Sequence, residues 1–273
     1  MSLDEKLLKV LEKARDSSGL IVFLTGAGVS AESGIPTFRG EEGYWTHGSQ
    51  VYRPEELARW STFASDPELV WPWYLYRRSI CRDADPNPAH MALACIEDEL
   101  GDRFALITQN VDGLHLRAGN TRQRTWQIHG NIDYMRCSRA CNPKLFPMPD
   151  IRGVGPGSYF DHAWKAQLSC PMCGSWARPH VLWFDESYDE ANYRYHSSRQ
   201  AAFDACLLVV AGTSGATSLP NTVAEICLSR GTPIIDINPQ ENTFTSMARR
   251  SEGGWLQAPA TEGLKWIEDA LSG

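Results

Sequence analysis

The chain has 273 residues, 22% of them charged, with eight cysteines and a formal net charge of −7. That length buries a substantial core, as one large domain or a domain with an insert, and so few cysteines exclude a disulfide-stapled scaffold. The charges are interspersed without a basic block, which excludes nucleic-acid binding through a charge patch, and no apolar run reaches the roughly 18 residues of a membrane span.

The N-terminal stretch MSLDEKLLKVLEKARDSS lacks the apolar centre of a signal peptide, so we expect a cytoplasmic protein with no membrane contact. It reads as an amphipathic helix with Leu3, Leu7, Leu8, Leu11 and Ala14 on one face. Leu20–Leu24 is a buried strand that stops at Thr25-Gly26-Ala27-Gly28. Gly26, Gly28 and Ala31 have the spacing of a G-x-G-x-x-A phosphate loop. There the first glycine permits a tight turn, the second lets backbone N–H groups approach a pyrophosphate, and the third small residue lets helix and strand close up. Gly34-Ile35-Pro36 breaks the chain within two turns, unlike an ordinary dinucleotide fold, and a lid-like segment with Phe38 and Arg39 follows.

Gly43 to Gln50 reads as loop. Asp66 caps a helix with Pro67 at its first position and Pro72 inside it, and Pro88 opens another that Gly101 closes. Strands recur at Phe104–Thr108, Thr125–His129, Cys206–Ala211 and Pro233–Asn238 with helices between, which implies a mostly parallel sheet covered on both faces. Thr25, Gln109-Asn110, His129, Thr213-Ser214 and Asn238 all stand at or just past the ends of apolar runs, the edge where such sheets bind ligands. Cys81, Cys95, Cys206 and Cys227 read as small core residues. Cys137-x3-Cys141, then 28 residues, then Cys170-x2-Cys173 suits one structural tetrahedral zinc ion, which would have no open position for catalysis.

GAGVSAESGIPTFRG resembles the signature of the sirtuins, the NAD-dependent protein deacylases. The likeness continues through Thr108-Gln109-Asn110-Val111-Asp112-Gly113-Leu114-His115, His129-Gly130, the four cysteines, Arg178-Pro179-His180-Val181, Gly212-Thr213-Ser214 and Asn238. It implies an α/β fold with a Rossmann-like NAD-binding domain (1–35, 89–130 and 178–273). A cofactor-loop and helical insert (36–88) and a small zinc-binding module (131–177) would be added to it. NAD would be a reactant: the acyl-lysine oxygen attacks C1′ and expels nicotinamide. His129 would act as general base, so that O-acyl-ADP-ribose and free lysine leave.

The resemblance gives Asn110 and Asp112 the nicotinamide carboxamide and ribose. It places Gly26, Ala27, Gly28, Ser30, Ala31, Pro36, Thr37, Phe38, Arg39, Trp45, Gln109, Val111, Gly212, Thr213, Ser214, Asn238, Pro239, Gln240 and Ala260 around NAD, with Ala260 near adenine. The other histidines would be structural. Val181, Trp183, Phe184, Asp185 and Glu186 would take up an acylated-lysine peptide as an added strand. Asp185 stands where sirtuins usually have glycine, and its charge would favour basic flanks. Gly215–Pro220 and Pro239-Gln240 also depart from the family pattern, which bears on the adenosine end.

Ala58, Tyr74 and Arg77 match the acyl pocket of class III sirtuins, which remove succinyl and malonyl groups. A guanidinium grips a carboxylate in bidentate fashion, and Tyr74 and Arg77 share a helix face. Three alternatives stay open. One is a deacetylase without acidic preference. Another is an ADP-ribosyltransferase or NAD glycohydrolase on the same scaffold. The third is a non-catalytic NAD or ADP-ribose binding module. An oxidoreductase fits least, because the acid of a second strand is lacking. Oligomeric state is open, and a monomer is compatible with everything above.

Overall fold

The computed structural model describes residues 2–36, 45–47 and 50–272, with the backbone alone at 45–47. The expected cofactor residues Thr37, Phe38 and Arg39 lie outside the described residues, and the side chain of Trp45 does too.

The first helix, α1 (Leu3–Asp16), begins at a capping box in which Ser2 and Glu5 bond each other's backbone N–H. It buries Leu7, Val10, Leu11 and Ala14; Leu3 and Leu8, expected on that face, flank the stripe and stay exposed. Strand β1 (Leu20–Thr25) runs into the one-turn helix α2 (Gly28–Ala31). The stretch read as loop instead holds an antiparallel pair, β2 (Trp45–His47) and β3 (Gln50–Tyr52), with Trp45 opposite Tyr52. Helices α3 (Pro54–Leu57), α4 (Trp60–Ser65) and α5 (Pro67–Asp83) follow. The last starts where Asp66 accepts from the Leu69 N–H and runs through Pro72. Next come α6 (Pro88–Leu100), β4 (Phe104–Thr108), α7 (Leu114–Ala118), β5 (Thr125–Gln127), β6 (Gly130–Cys137), β7 (Phe146–Pro147) and β8 (Ala177–Val181). The chain closes with α8 (Glu190–Tyr193), α9 (Tyr195–Asp204), β9 (Ala205–Ala211), α10 (Ser218–Ser229), β10 (Ile234–Ile237), α11 (Thr243–Arg250), β11 (Gly254–Leu256) and α12 (Ala260–Ser272).

Six of these strands form one parallel sheet in the order β11-β10-β9-β1-β4-β5. Their side chains alternate between two cores. Ile21, Phe23, Leu207 and Val209 face α1, α6 and α12; Val22, Leu24, Leu208 and Val210 face α9, α10 and α11. Burial on both faces is what makes these strands read as unbroken apolar runs. A second, antiparallel sheet, β7-β6-β8, shares a third core with α3 to α5, rich in Trp71, Trp73, Phe63, Leu168 and Trp183. Cys81 and Cys227 are buried as expected and Cys206 is half-buried, but Cys95 lies on the exposed side of α6. No helix among the described residues is long and apolar enough to cross a membrane.

Candidate active site

The strand ends are tied into one hydrogen-bonded line. Gly212 N–H donates to Ile237 O (3.1 Å), Gly26 N–H to Ala211 O (3.1 Å), Gly28 N–H to Gly212 O (2.8 Å) and Gln109 N–H to Thr25 O (3.0 Å). These bonds correct the expectation for the glycine loop. The N–H of Gly26 serves the end of β9 and that of Gly28 the loop after it, so neither stands open as a phosphate cradle. The glycines are needed because the two loops touch: a Cβ on Gly28 would sit 2.8 Å from Gly212 Cα. Ala31 is corrected too. It faces solvent at the end of the one-turn helix, and Val29 and Ser30 are the residues that close up. Ala27 and Pro36 are half-buried at the same mouth.

Beneath this mouth Ser30 is a hub. Its hydroxyl accepts from Asn110 Nδ2 (3.0 Å) and donates to Asp112 Oδ2 (2.7 Å), and all three residues are buried. The other Asp112 oxygen accepts from the Leu114 N–H (2.9 Å) and so starts α7. Burial raises the Asp112 pKa, opposed by the Leu114 and Ser30 bonds. His90 and His115 back the hub. His115 Nε2 lies 3.1 Å from Thr25 Oγ1, His90 Nε2 lies 3.4 Å from Ser30 Oγ, and the rings are 4.8 Å apart. Burial holds the His90 pKa at about 4 and lowers that of His115 well below the usual imidazole value, so both are neutral structural residues at neutral pH.

His129 was expected at the end of a strand, but β5 stops at Gln127, and His129 sits in the turn before β6. Gly130 makes that turn at φ +86°, where any Cβ would overlap His180 O, and Leu182 N–H donates to His129 O (2.9 Å). The imidazole has a partner on each side: Nδ1 is 3.0 Å from Gln109 O and Nε2 is 2.8 Å from the Tyr188 hydroxyl. A carbonyl only accepts, so Nδ1 carries the proton and Nε2 presents its lone pair. The ring keeps a partly exposed edge, yet its enclosure lowers the pKa to about 4, opposed by the bond to Gln109, and leaves a neutral base. Gln109 is held in turn by Thr213 Oγ1, which accepts from its Nε2 (2.9 Å), and by Thr217 Oγ1, which donates to its Oε1 (2.9 Å).

Tyr188 and Thr217 had not been singled out. No motif spacing marks Tyr188, and Thr217 lies in the Gly215–Pro220 departure ascribed to the adenosine end. The structure sets Thr217 at Gln109, on the His129 side.

At the far end of the line Asn238 is buried and donates from Nδ2 to Asp236 (2.5 Å), while Pro239 and Gln240 are exposed beside it and Ser214 faces solvent. Val111 packs against the aromatic core. Ala260, which the resemblance sets near adenine, is buried in the core that also holds Ile237 and Leu264.

The peptide and acyl residues gather around Trp183. Tyr74 is buried, and its hydroxyl accepts from Trp183 Nε1 (2.6 Å). Burial pushes the Tyr74 pKa far up, so the phenol keeps its proton. Ala58 is buried in the same core, and its carbonyl accepts from Phe184 N–H (3.0 Å). The Arg77 guanidinium lies 5.5 Å from the Trp73 ring centroid and exerts a charge effect on Tyr74. The expected strand through Val181–Phe184 ends at Val181, because Glu186 folds residues 183–186 into a turn by accepting from Trp183 N–H (3.0 Å).

Glu186 was expected against the peptide, but it is occupied by Arg178, whose Nη2 lies 2.7 Å away and whose guanidinium stacks on Trp183 at 3.5 Å. Asp185, exposed beside it, also has partners within the chain. It accepts from Trp60 N–H (2.6 Å), Ser61 N–H (3.0 Å) and Ser61 Oγ (2.9 Å), capping α4 from across the chain. Burial works against these bonds, and they still hold its pKa below the carboxylate norm.

The sulfurs of Cys137, Cys141, Cys170 and Cys173 lie within 4.8 Å of one another, with the 137–173 and 141–170 pairs at 3.6 Å. Four thiolates at roughly 2.3 Å from a centre stand about 3.8 Å apart in a tetrahedron, so the donor set and its spacing fit one zinc ion with no position left open. Cys173 has its thiol pulled down to about 6, chiefly by the Ser175 N–H.

The Sir2 family model matches residues 26–218. An NAD-dependent protein deacylase 1 of Archaeoglobus fulgidus is 39% identical over 99% of this chain and 100% of its own length. An NAD-dependent protein deacylase of Leptospira interrogans is 40% identical over 86% of this chain and 88% of its own. Among solved structures, a Sir2 homologue–NAD complex superposes with a TM-score of 0.80 at 37% identity, covering 99% of this chain and 94% of that one. A Sir2–p53 peptide–NAD+ complex does so at 0.75 and 26%, covering 98% of each. Identity at this level over nearly the whole length is more than a shared fold. The chain belongs to the Sir2 family.

Proposed function

We propose that this protein is an NAD-dependent protein-lysine deacylase that removes succinyl and malonyl groups in preference to acetyl. The observation that carries the deacylase reading is the neutral imidazole of His129, oriented by Gln109 O with Nε2 presented as a base. NAD, when bound, supplies the electrophilic ribose carbon that accepts the acyl oxygen. This chain's residues do the rest. Asn110 and Asp112, fixed by Ser30, offer a preset amide and carboxylate to the nicotinamide end. Gly212, Thr213, Ser214 and Asn238 border the adenosine end. Zinc held by the four cysteines would tie down the β6–β8 module and take no part in the reaction.

Acidic preference rests on Tyr74. Because Trp183 Nε1 already donates to its oxygen, the phenolic proton is directed to some other acceptor, and a carboxylate beside the Arg77 guanidinium is a fitting one. An acetyl group ends in a methyl and brings no carboxylate to the Tyr74 proton or to the Arg77 guanidinium.

The test is a comparison of kcat/KM on acetyl-, malonyl- and succinyl-lysine peptides, with Arg77→Met alongside. Succinyl and malonyl should lead, and the variant should lose them by about 30-fold or more, the effect of removing one partner of a desolvated charge pair, while acetyl holds. Equal rates on all three peptides would leave a deacylase without acidic preference. Nicotinamide release that ignores the acyl peptide would move the protein to NAD hydrolysis or ADP-ribosyl transfer.

A further inference from the structure

The hydroxyl on His129 Nε2 comes from Tyr188, 59 residues downstream of the imidazole. Nε2 has one lone pair, and with Nδ1–H committed to Gln109 O, that lone pair is where the ring can accept a proton. It is already engaged, at 2.8 Å, by a protein hydroxyl. Nor is the contact incidental. The Tyr188 ring packs against the core under α9 and α10 and lies 5.8 Å from the imidazole at a 31° tilt. Thr217, which donates to Gln109 Oε1 (2.9 Å), stands beside the Tyr188 hydroxyl as well. Gln109 thus anchors both the imidazole that Tyr188 engages and the Thr217 hydroxyl beside it.

We propose that Tyr188 is a positioning residue that latches His129, holding the imidazole as the Nδ1–H tautomer and occupying Nε2 until a ligand hydroxyl takes its place. The inference rests on the reading of His129 as the base, because a base must yield its lone pair to the hydroxyl it deprotonates. The phenol suits this duty. Burial raises its pKa to about 12, so it remains a donor at neutral pH and does not itself take the proton. A donor on Nε2 favours the neutral imidazole, so the latch adds to what burial does. It also sets a cost on ligand entry, since a ribose hydroxyl gains its bond to His129 only as Tyr188 gives up the same one. Replacing one hydroxyl by another is close to balanced, which makes the latch reversible.

Tyr188→Phe keeps the ring and removes the donor. With one hydrogen bond gone, His129 should titrate about 0.7 pH unit higher in the ligand-free protein, followed by imidazole NMR. ADP-ribose, used as a non-reacting probe, should bind about fivefold tighter by calorimetry. In the unaltered protein, saturating ADP-ribose should move the Tyr188 Cζ resonance as its hydroxyl changes partner. An unshifted His129 titration, ADP-ribose affinity that is unchanged or weaker, or a Tyr188 resonance indifferent to ADP-ribose would each overturn the proposal. The imidazole titration uses neither acyl peptide nor turnover, so failure of the deacylase reading in a kinetic assay is a separate result.

Discussion

The strand-end site and the aromatic chamber around Trp183 are built on opposite plans. At the strand ends, backbone and short polar side chains satisfy one another across neighbouring strands: Gly28 on Gly212, Gln109 on Thr25, Ser30 between Asn110 and Asp112. Each group is fixed by a loop a few residues long leaving a rigid parallel sheet. In the chamber, partners as distant in sequence as those at the strand ends meet with no shared sheet to set them. Tyr74 meets Trp183 across 109 residues, and Asp185 caps a helix 125 residues before it. A site made of strand ends inherits its geometry from the sheet, whereas a site made of inserts must be held by dedicated contacts. The Arg178–Glu186 pair stacked on Trp183 is such a contact.

This contrast can be broken. His129→Ala should show the largest effect, a fall of about 10²- to 10⁴-fold in turnover with NAD binding retained, because it removes a base from an otherwise intact edge. Loss of NAD binding in calorimetry would mean the edge is not preset as described. Zinc removal comes next. Stripping the metal with a strong chelator should melt the β6–β8 module, with loss of near-ultraviolet dichroism and of peptide binding, since a structural Zn(Cys)4 site contributes folding energy directly. An unchanged melting profile with zinc stoichiometrically gone would refute a structural ion.

Acid should also separate the two regions. His90, His129 and His180 have folded pKa values of about 4, and that of His115 is also lowered, all chiefly through burial. In the unfolded chain each titrates near 6.5, so between those values the unfolded state binds more protons. Their stabilisation is complete above roughly pH 6.5 and falls as pH drops towards 4, by up to about 1.4 kcal/mol per pH unit for each histidine. Burial raises Asp112 and Asp236, which works in the opposite sense at the acid end. Urea midpoints that stay level from pH 7 to pH 5 would contradict this.

Two smaller effects sharpen the chamber side. Tyr74→Phe should cost about fivefold in kcat/KM on succinyl relative to acetyl peptide, for the one bond to the carboxylate, while the lost acceptor of Trp183 Nε1 should show separately as a lower Tm. Asp185→Ala should lower stability by about 1 kcal/mol through the lost cap on α4, read as a drop in Tm, without changing acyl preference.

Much of the site was legible because it follows periodicity and short spacing. Apolar runs such as Leu20–Leu24 and Phe104–Thr108 announced strands buried on both faces, and polar residues directly after them had to lie at the sheet's carboxyl edge. Helix starts at Pro67 and Pro88 were readable from the Asp66 cap and the two prolines. Paired cysteines announced a four-sulfur cluster.

The sequence by itself thus determined the class of fold, the edge that carries the chemistry and the metal ligands. Those depend on local pattern, which a chain states residue by residue. Only the tertiary structure decided how the partners are assigned. It spent the glycine N–H groups on the end of β9 and the loop after it, tied Asp185 to the start of α4 and Glu186 to Arg178, buried Ala260 and set Tyr188 against His129. Such choices depend on which distant segments the packed core brings within about 3 Å, a distance at which hydrogen bonds form.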